Sequence, residues 1–521
     1  MTRKVLLYDA TLREGAARAG LSFSLSDKTK VLARLDEFGI DFVECGYPAS
    51  NPKDAEFFAA IPGLRLARAA ACAFGATRRK NAEAAADLAP LLQAGCATVT
   101  IFGKAWDFQV AEALGATLEE NLRMIADSVA CLQAAGRRVV FDAEHFFDAW
   151  KENPAYAREC LAAAAGAGAD FLVLCDTNGG ALPFEVEEAT ARAVAEFGVP
   201  VGIHAHNDSG CAVANSLAAV RAGATMVQGT VNGYGERCGN ADLCTLIPDL
   251  QVKMGIELSC AANLPRLREL SHYVAEVANV IHDAHQPYVG ANAFAHKGGA
   301  HVHAVGRHAR CYEHLDPALV GNEARVLVSE LSGKSAIAQK AAEMGLDPEK
   351  VAAHAGEIAK RVKKLEHHGF QFEAADGSFE LLVRDVLGET EEFFAFESFR
   401  VIVEKQPETG EMVTEATVRV AKDGQRIITT AEGNGPVHAL DAALRKALRR
   451  FYPQLKSIHL TDFKVRVLDQ THDTRAVTRV LIESTDGERT WGTVGVSENL
   501  IEASWLALLD SLLYGLLHGK A

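Results

Sequence analysis

The chain opens with a regular alternation of short apolar runs and longer helix-like segments, which continues for about 260 residues. The apolar runs have the length and composition of buried β-strands. They begin near Val5, Asp41, Leu64, Thr98, Val139, Asp170, Pro200 and Met226. Eight β/α repeats within about 250 residues predict an α/β fold, the (β/α)8 TIM barrel. No Gly-x-Gly-x-x-Gly follows the first run, which disfavours an open doubly wound sheet.

Two of the helical segments show this pattern well. Between residues 26 and 39, apolar side chains recur at helical spacing, and Gly39 stands where a glycine ends a helix. Further along, Thr117 and Glu120 have the spacing of a capping box, in which each side chain satisfies a backbone N–H at the helix start. An apolar stripe follows this pair, so a second amphipathic helix is expected there.

The pattern changes twice after the predicted barrel. Residues 265–390 are mostly helical in character and end in charged, mixed sequence. Residues 391–521 contain one β-β-β-α unit twice, with an offset of 64 that aligns Ala439, Ala443 and Leu444 with Ala503, Ala507 and Leu508. We therefore expect a catalytic barrel at 1–264, a helical connecting domain at 265–390 and a repeated α+β regulatory domain at 391–521.

Composition excludes several classes of function. The net charge of −15 argues against nucleic-acid binding, which needs a basic patch. No apolar run approaches about 18 residues, so no membrane span is predicted, and the strand-like start leaves no room for a signal peptide. The eleven cysteines form no Cys-x-x-Cys, and we interpret them as reduced thiols of a cytoplasmic protein.

Polar side chains follow several of the predicted strands, at the end of the barrel where active sites lie. His204 and His206 are two apart on the seventh strand, so both imidazoles point the same way. Barrel closure makes strands seven, eight and one neighbours, which brings Glu14 and Asn240 towards the histidines. Two imidazoles, one carboxylate and one amide oxygen suit a divalent cation, although a lone His-x-His is often only a polar strand end.

The sequence pattern alone does not decide the roles of the other polar residues at these strand ends. Arg13 can stabilise negative charge on a substrate oxygen, although an isolated arginine is more commonly a structural ion-pair residue. Acidic residues within 141–145 and 174–180 either join the site or cap the following helices. The glycines at 233 and 239 fit ordinary turns as well as a phosphate-binding loop.

Three segments in combination resemble signatures of the 2-isopropylmalate synthase/homocitrate synthase family. They are residues 11–15, 204–208 and 233–240, and the resemblance extends over essentially the whole chain. It implies a TIM-barrel enzyme that transfers an acetyl group from acetyl-CoA to a small 2-keto acid. It also implies a metal held by Glu14, His204, His206 and Asn240, with Mg²⁺ or Mn²⁺ favoured and Zn²⁺ possible.

The resemblance assigns further roles residue by residue. Arg13 would contact the keto oxygen, and Thr177 the carboxylate of the keto acid. Glu144 and His301 would be candidates for acid and base catalysis, with His301 supplied by the connecting segment. Tyr312 matches a family tyrosine of the same site. The C-terminal domain resembles the family's allosteric dimerisation domain, so a homodimer is implied.

Within this family, residues 46–54, 100–107 and 141–148 resemble the branch that makes citramalate from pyruvate. Citramalate leads towards isoleucine, so isoleucine is the implied feedback inhibitor. We expect its site near Gly433, Asn434, Gly435 and Pro436 and near residues 495–499, unless these turns merely start helices.

Four residues depart from the family pattern. Glu14 stands where most members carry Asp, and Ala16, Cys45 and Gln109 replace an expected Glu or Gln, Gly and His. The longer side chain of Glu14 leaves the preferred metal open.

Three alternative functions remain open. The nearest is 2-isopropylmalate synthesis from 2-oxoisovalerate, the same chemistry on a larger keto acid. A lyase of the same superfamily would have no need of the repeated C-terminal domain. A non-catalytic amino-acid sensor would have lost some of the four predicted metal ligands, all of which are present.

Overall fold

Eight parallel strands close into a barrel in the computed structural model, which describes residues 4–328, 334–405, 410–468 and 476–519. The strands are β1 (Leu6–Asp9), β2 (Phe42–Gly46), β3 (Ala70–Ala76), β4 (Thr98–Lys104), β5 (Arg138–Glu144), β6 (Phe171–Asp176), β7 (Val201–Ala205) and β8 (Met226–Gly229). Each strand pairs with the next in sequence, and β8 pairs with β1 through Leu6 and Met226. The predicted TIM barrel is confirmed.

Helices follow the strands around the outside of the barrel. They are α1 (Leu25–Phe38), α2 (Pro52–Ala60), α3 (Ala84–Asp87), α4 (Ala89–Gln93), α5 (Asp107–Gln109), α6 (Leu118–Ala134), α7 (Phe146–Glu152), α8 (Pro154–Gly166), α9 (Pro183–Glu196), α10 (Ala212–Ala222), α11 (Leu243–Pro248) and α12 (Leu267–Val277). Helix α1 begins after a capping box between Ser24 and Asp27, and it ends at Gly39 with φ +99°. The capping box predicted for α6 is only half formed: Thr117 caps Glu120 N–H, while the Glu120 carboxylate binds Arg78.

The third strand lies elsewhere than the sequence pattern indicates. It begins at Ala70 instead of near Leu64, because Ile61–Leu64 forms a single 3-10 turn and Arg65 adopts left-handed φ and ψ angles. The buried carboxylate of Asp36 then accepts hydrogen bonds from the N–H groups of residues 67, 68 and 69. Those contacts hold the segment before the strand outside the sheet.

The chain divides into two compact units. The first runs through residue 294 and includes Leu315–Glu323, and the second comprises Ala295–His314 and the chain from Ala324 onward. The second unit contains α13 (Gly299–Arg307), α14 (Lys334–Glu343), α15 (Pro348–His367), α16 (Asp376–Val386) and the paired short strands β9 (Ala295–His296) and β10 (Arg325–Val326). The boundaries predicted at residues 264 and 390 stay predictions.

The rest of the second unit is the predicted repeat. One sheet has β11 (Ala395–Lys405), β12 (Met412–Lys422) and β13 (Gln425–Gly433) followed by α17 (Pro436–Leu448); the other has β14 (His459–Val467), β15 (Thr478–Thr485) and β16 (Thr490–Ser497) followed by α18 (Leu500–His518). Both sheets are antiparallel, and their first strands shift register at matching places, between Phe396 and Ser398 and between Leu460 and Asp462. The helix residues aligned by the offset of 64 are all buried.

Helix α18 is long and apolar enough to cross a membrane by length and composition alone. Polar residues such as Ser504, Asp510 and Ser511 interrupt it, so the sequence contains no long uninterrupted apolar run there. Trp505, Leu508, Leu512 and Leu516 of this helix are buried in the core of the repeated domain. The apolar character of α18 is therefore accounted for by packing against the two sheets.

Candidate active site

The four predicted metal ligands lie together at the carboxyl ends of β7, β8 and β1. The rings of His204 and His206 have their centroids 5.1 Å apart, and His206 Nε2 is 3.9 Å from Glu14 Oε1. Asn240 pairs with His206 through an isolated β-bridge. All four side chains are buried. Barrel closure thus brings together residues that are far apart in sequence, as the strand order requires.

A buried glutamine fixes the orientation of His204. His204 Nδ1 lies 2.8 Å from Gln228 Oε1, and Gln228 Nε2 donates to Asp142 Oδ1 at 3.0 Å. Because an amide oxygen only accepts, Nδ1 carries the proton, and Nε2 keeps its lone pair. Such a hydrogen bond on the far ring nitrogen is the arrangement that metal-binding histidines use.

The polar atoms of this group fit a divalent cation. His206 Nδ1 and Asn240 Oδ1 are buried without a hydrogen-bond partner, a costly state that a ligand would relieve. Within the described ranges, no three His, Cys, Asp or Glu side chains are already gathered as metal ligands. Arg13 donates to Glu14 Oε2, and that ion pair holds one oxygen of the carboxylate.

The local charges set the protonation states that a cation site needs. Burial raises the pKa of Glu14, but Arg13 and then the two histidines outweigh this effect and lower it to about 2. Burial lowers the pKa of His204, and burial together with the neighbouring His204 lowers the pKa of His206. At neutral pH the group is therefore one carboxylate and two uncharged imidazoles, each able to donate a lone pair.

Arg13 is held rigidly at the edge of this group. Its guanidinium donates to Glu14 and to the fully buried Glu44, and it lies 3.7 Å above the ring centroid of Phe74. Tyr8 in turn donates to the other oxygen of Glu44 at 2.7 Å. The guanidinium is therefore preorganised, and it faces the same cavity as Glu14.

That cavity contains about 300 Å³ of space accessible to water-sized molecules, within the range of small-ligand sites. Arg13, Glu14, Glu144, Thr177, His204 and His206 all line it. Lys104 Nζ lies 2.5 Å from Glu144 Oε2, and Thr177 Oγ1 accepts a hydrogen bond from His145 N–H at 2.8 Å. The stacked rings of Phe74 and Phe102, 5.4 Å apart, form an apolar wall.

The remaining predicted site residues lie in the second unit. His301 and Tyr312 stack on each other with ring centroids 3.9 Å apart, and both side chains are exposed. Residues 433–436 form the turn from β13 into α17. A Cβ on Gly433 would lie 2.5 Å from Ala439 N, so this turn requires glycine for close packing, and Pro436 occupies the first turn of the helix.

Sequence reasoning missed several residues that support the site. Gln228, Lys104 and His145 contact predicted functional side chains, but no spacing rule singles them out. Gln228 carried the one available signal, since it is a polar residue in the otherwise apolar strand β8.

Family models match three successive stretches of the chain. The HMGL-like model matches residues 4–274, the homocitrate synthase post-HMGL domain-like model residues 288–369, and the LeuA allosteric (dimerisation) domain residues 373–516. The first of these alone covers more than half of the chain.

Curated relatives match along almost the full length. An (R)-citramalate synthase of Aquifex aeolicus is 49% identical over 99% of this chain and 98% of its own length. One from Geobacter sulfurreducens is 52% identical over 98% and 97%. A 2-isopropylmalate synthase of Methanocaldococcus jannaschii is 30% identical over 98% and 94%. The barrel with its clustered strand-end residues, the repeated C-terminal domain and these full-length matches lead to one conclusion: the chain belongs to the HMGL-like family, alongside the (R)-citramalate synthases.

Proposed function

We propose that this protein condenses the acetyl group of acetyl-CoA with pyruvate to give (R)-citramalate and CoA. The observation that carries the proposal is the identity of 44–52% with (R)-citramalate synthases over nearly the whole chain, which exceeds the 30% found for a 2-isopropylmalate synthase. The barrel retains all four candidate metal ligands together with a cavity beside them, which disfavours a non-catalytic sensor.

In this proposal Glu14, His204, His206 and Asn240 hold a divalent cation. The unpartnered atoms of His206 and Asn240 and the fixed ring of His204 support the assignment. The carboxylate and amide oxygens suit Mg²⁺ or Mn²⁺, which we favour, and the two imidazole nitrogens also suit Zn²⁺. When bound, such a cation supplies Lewis-acid polarisation of the keto acid's carbonyl group.

Arg13 and Thr177 bind the keto acid. The Arg13 guanidinium lies beside the candidate metal ligands and donates to the oxygen that gains negative charge when the new carbon–carbon bond forms. The Thr177 hydroxyl accepts its backbone hydrogen bond from His145, which leaves its proton available for the substrate carboxylate. Together they orient the carbonyl carbon towards attack.

Glu144 is our candidate for the base that removes a methyl proton from acetyl-CoA. It lines the cavity, and its carboxylate lies against the Lys104 ammonium. The resulting carbon nucleophile attacks the keto carbon, and hydrolysis of the thioester then releases CoA. His301, stacked on Tyr312, stays the alternative acid or base, contributed from the connecting segment.

The second unit supports a regulatory role. It carries the LeuA allosteric (dimerisation) domain, and valine and isoleucine side chains on β11, β13 and β14 are exposed in the single chain. We infer a homodimer inhibited by isoleucine, with the effector bound near Gly433, Asn434, Gly435 and Pro436 and near residues 495–499. We place the enzyme in the cytoplasm, where its free cysteines remain reduced.

The test is identification of the product. Purified full-length protein is incubated with acetyl-CoA, pyruvate and Mg²⁺ or Mn²⁺, and free CoA and the acid product are measured. The proposal requires stoichiometric release of CoA and (R)-citramalate, resolved from its enantiomer by chiral chromatography. CoA release with no citramalate would indicate simple thioester hydrolysis and would contradict the proposal.

A further inference from the structure

A strained corner of the backbone joins two residues of the candidate active site. His145 directly follows Glu144, at the point where β5 ends and α7 begins. Its φ of +58° and ψ of +31° place it in the left-handed region, which is unfavourable for a residue with a side chain. Such strain persists only where surrounding contacts enforce it, and it is concentrated at functional sites.

Three hydrogen bonds hold this corner. The His145 backbone N–H donates to Thr177 Oγ1 at 2.8 Å, Nδ1 lies 3.1 Å from Asp148 Oδ2, and Nε2 lies 3.1 Å from Gln109 Nε2. A carboxylate accepts and an amide NH₂ donates, so Nδ1 carries the ring proton and Nε2 accepts. Both ring nitrogens are therefore engaged, and the side chain is buried.

The same network reaches the loop that carries Thr177. Asp148 Oδ2 also accepts from Asn178 Nδ2 at 3.0 Å. His145 is thus linked to the end of β6 twice, directly through its backbone to Thr177 and through Asp148 to the next residue. Because Glu144 is its neighbour in the chain, one residue fixes both the candidate base and the hydroxyl proposed to bind the keto acid's carboxylate.

We propose that His145 is a positioning residue that fixes Glu144 and Thr177 relative to each other and directs the Thr177 hydroxyl proton into the cavity. This inference rests on the proposed function. His145 itself does not line the cavity, and both its ring nitrogens have protein partners, so it acts through its neighbours. Loss of the corner therefore weakens binding of pyruvate and misaligns Glu144, while binding of acetyl-CoA changes little.

The test is steady-state kinetics of His145→Ala, His145→Asn and Asp148→Ala, each alone and combined with Thr177→Val. His145→Ala removes both ring contacts from a backbone that alanine disfavours, so we expect KM for pyruvate to rise by about tenfold or more and kcat to fall. Asparagine tolerates the left-handed conformation, so we expect KM for pyruvate of His145→Asn to lie between the values of His145→Ala and the wild type. Asp148→Ala, which removes the partner of Nδ1 and leaves the contact of Nε2 with Gln109, changes KM in the same direction as His145→Ala.

The double variants separate positioning from general loss of stability. If His145 acts through Thr177, His145→Ala raises KM for pyruvate far less in the Thr177→Val background than in wild type. Tyr288→Ala is the matched control, since Tyr288 is another buried left-handed residue, with φ +64°, whose hydroxyl binds the carboxylate of Asp249. It lowers Tm without raising KM for pyruvate.

The inference is overturned if folded His145→Ala and Asp148→Ala keep the wild-type KM for pyruvate. It is also overturned if the effects of His145→Ala and Thr177→Val multiply fully. If His145→Ala fails to fold, the same cycle with His145→Asn decides. Absence of citramalate formation by the wild-type protein would instead contradict the proposed function, so the two failures are distinguishable.

Discussion

At the scale of single residues, the uncharged histidines of the candidate metal site lead to a direct prediction about the requirement for a cation. Removing one imidazole from a four-ligand set leaves too few donors to retain the cation. We expect His204→Ala to abolish turnover while thermal unfolding shows an intact barrel. Exhaustive chelation of the wild-type protein gives the same loss, reversed by added Mg²⁺ or Mn²⁺. His285→Ala, which changes an exposed histidine, retains activity. Full activity after chelation would exclude a catalytic metal.

Gln228 provides a second prediction at this scale. Gln228→Leu removes the acceptor that fixes the ring proton of His204 on Nδ1. Loss of such a supporting contact typically lowers metal affinity by about 10- to 100-fold. We expect the cation concentration for half-maximal activity to rise by that factor, with activity recovered at high cation. Gln133→Leu is the control, since Gln133 binds Gly168 and Asp170 and not a metal-ligand candidate. An unchanged cation requirement in Gln228→Leu would contradict this role.

The sequence predicted the four ligand candidates because strand order in a closed barrel determines which strand ends are neighbours. It did not predict Gln228, Lys104 or His145, since their roles depend on which way a side chain points at the end of a strand. Gln228 on β8 is paired directly with His204 on the neighbouring strand β7, and the spacing of residues within one strand does not predict such a contact between side chains.

At the scale of elements, regular spacing was the reliable guide. The repeat in the second unit was predictable because its two sheets and two helices bury equivalent positions at a fixed offset, even where the residue types differ. The start of β3 was mispredicted because apolar residues before it form a turn, and the segment between this turn and the strand is held by Asp36 of α1. Local pattern does not include such distant partners.

Helix α18 gives a pH-dependent prediction. Burial raises the pKa of Asp510 to about 6, although Ser378 donates to its carboxylate at 2.6 Å. The unfolded value is about 3.9, so between these values the folded state retains a proton that the unfolded state loses. This contribution therefore lowers the free energy of unfolding as pH rises from about 4 to about 6, by about 1.4 kcal/mol for each pH unit, and is constant above.

Asp510→Asn removes this titration. The free energy of unfolding of the variant, minus that of the wild type, should increase with pH from about 4 to about 6 and then level off. Urea unfolding followed by tryptophan fluorescence measures it, because Trp491 and Trp505 are buried in the same domain. A difference that does not vary with pH would show that Asp510 titrates normally in the folded chain.

At the scale of the whole molecule, the repeated C-terminal domain leads us to predict feedback control. We expect isoleucine at millimolar concentration or below to inhibit the full-length enzyme, with leucine and valine weaker. Inhibition requires that isoleucine bind two conformations of the protein with different affinity. A side chain at Gly433 would clash with α17, so this residue is not substituted. Asn434→Ala is the variant that tests the proposed isoleucine site.

A chain ending near residue 390 is the second arm of this experiment. It lacks the repeated domain and should no longer respond to isoleucine if it retains activity. Equal inhibition of the shortened chain, or no effect of isoleucine on the full chain, would contradict the regulatory assignment. If the shortened chain is inactive, the response of Asn434→Ala decides, since that variant keeps the dimerisation domain.

Selectivity between keto acids distinguishes citramalate synthesis directly from isopropylmalate synthesis. We expect the stacked rings of Phe74 and Phe102, which line the cavity, to leave room for the single methyl group of pyruvate and to exclude the branched chain of 2-oxoisovalerate. Each extra methyl group that cannot be accommodated costs about 1–3 kcal/mol. The isopropyl group of 2-oxoisovalerate has two extra methyl groups, so we predict that kcat/KM for pyruvate exceeds that for 2-oxoisovalerate by about 30-fold or more. A value for 2-oxoisovalerate equal to or above that for pyruvate would contradict citramalate synthesis and assign the enzyme to isopropylmalate synthesis.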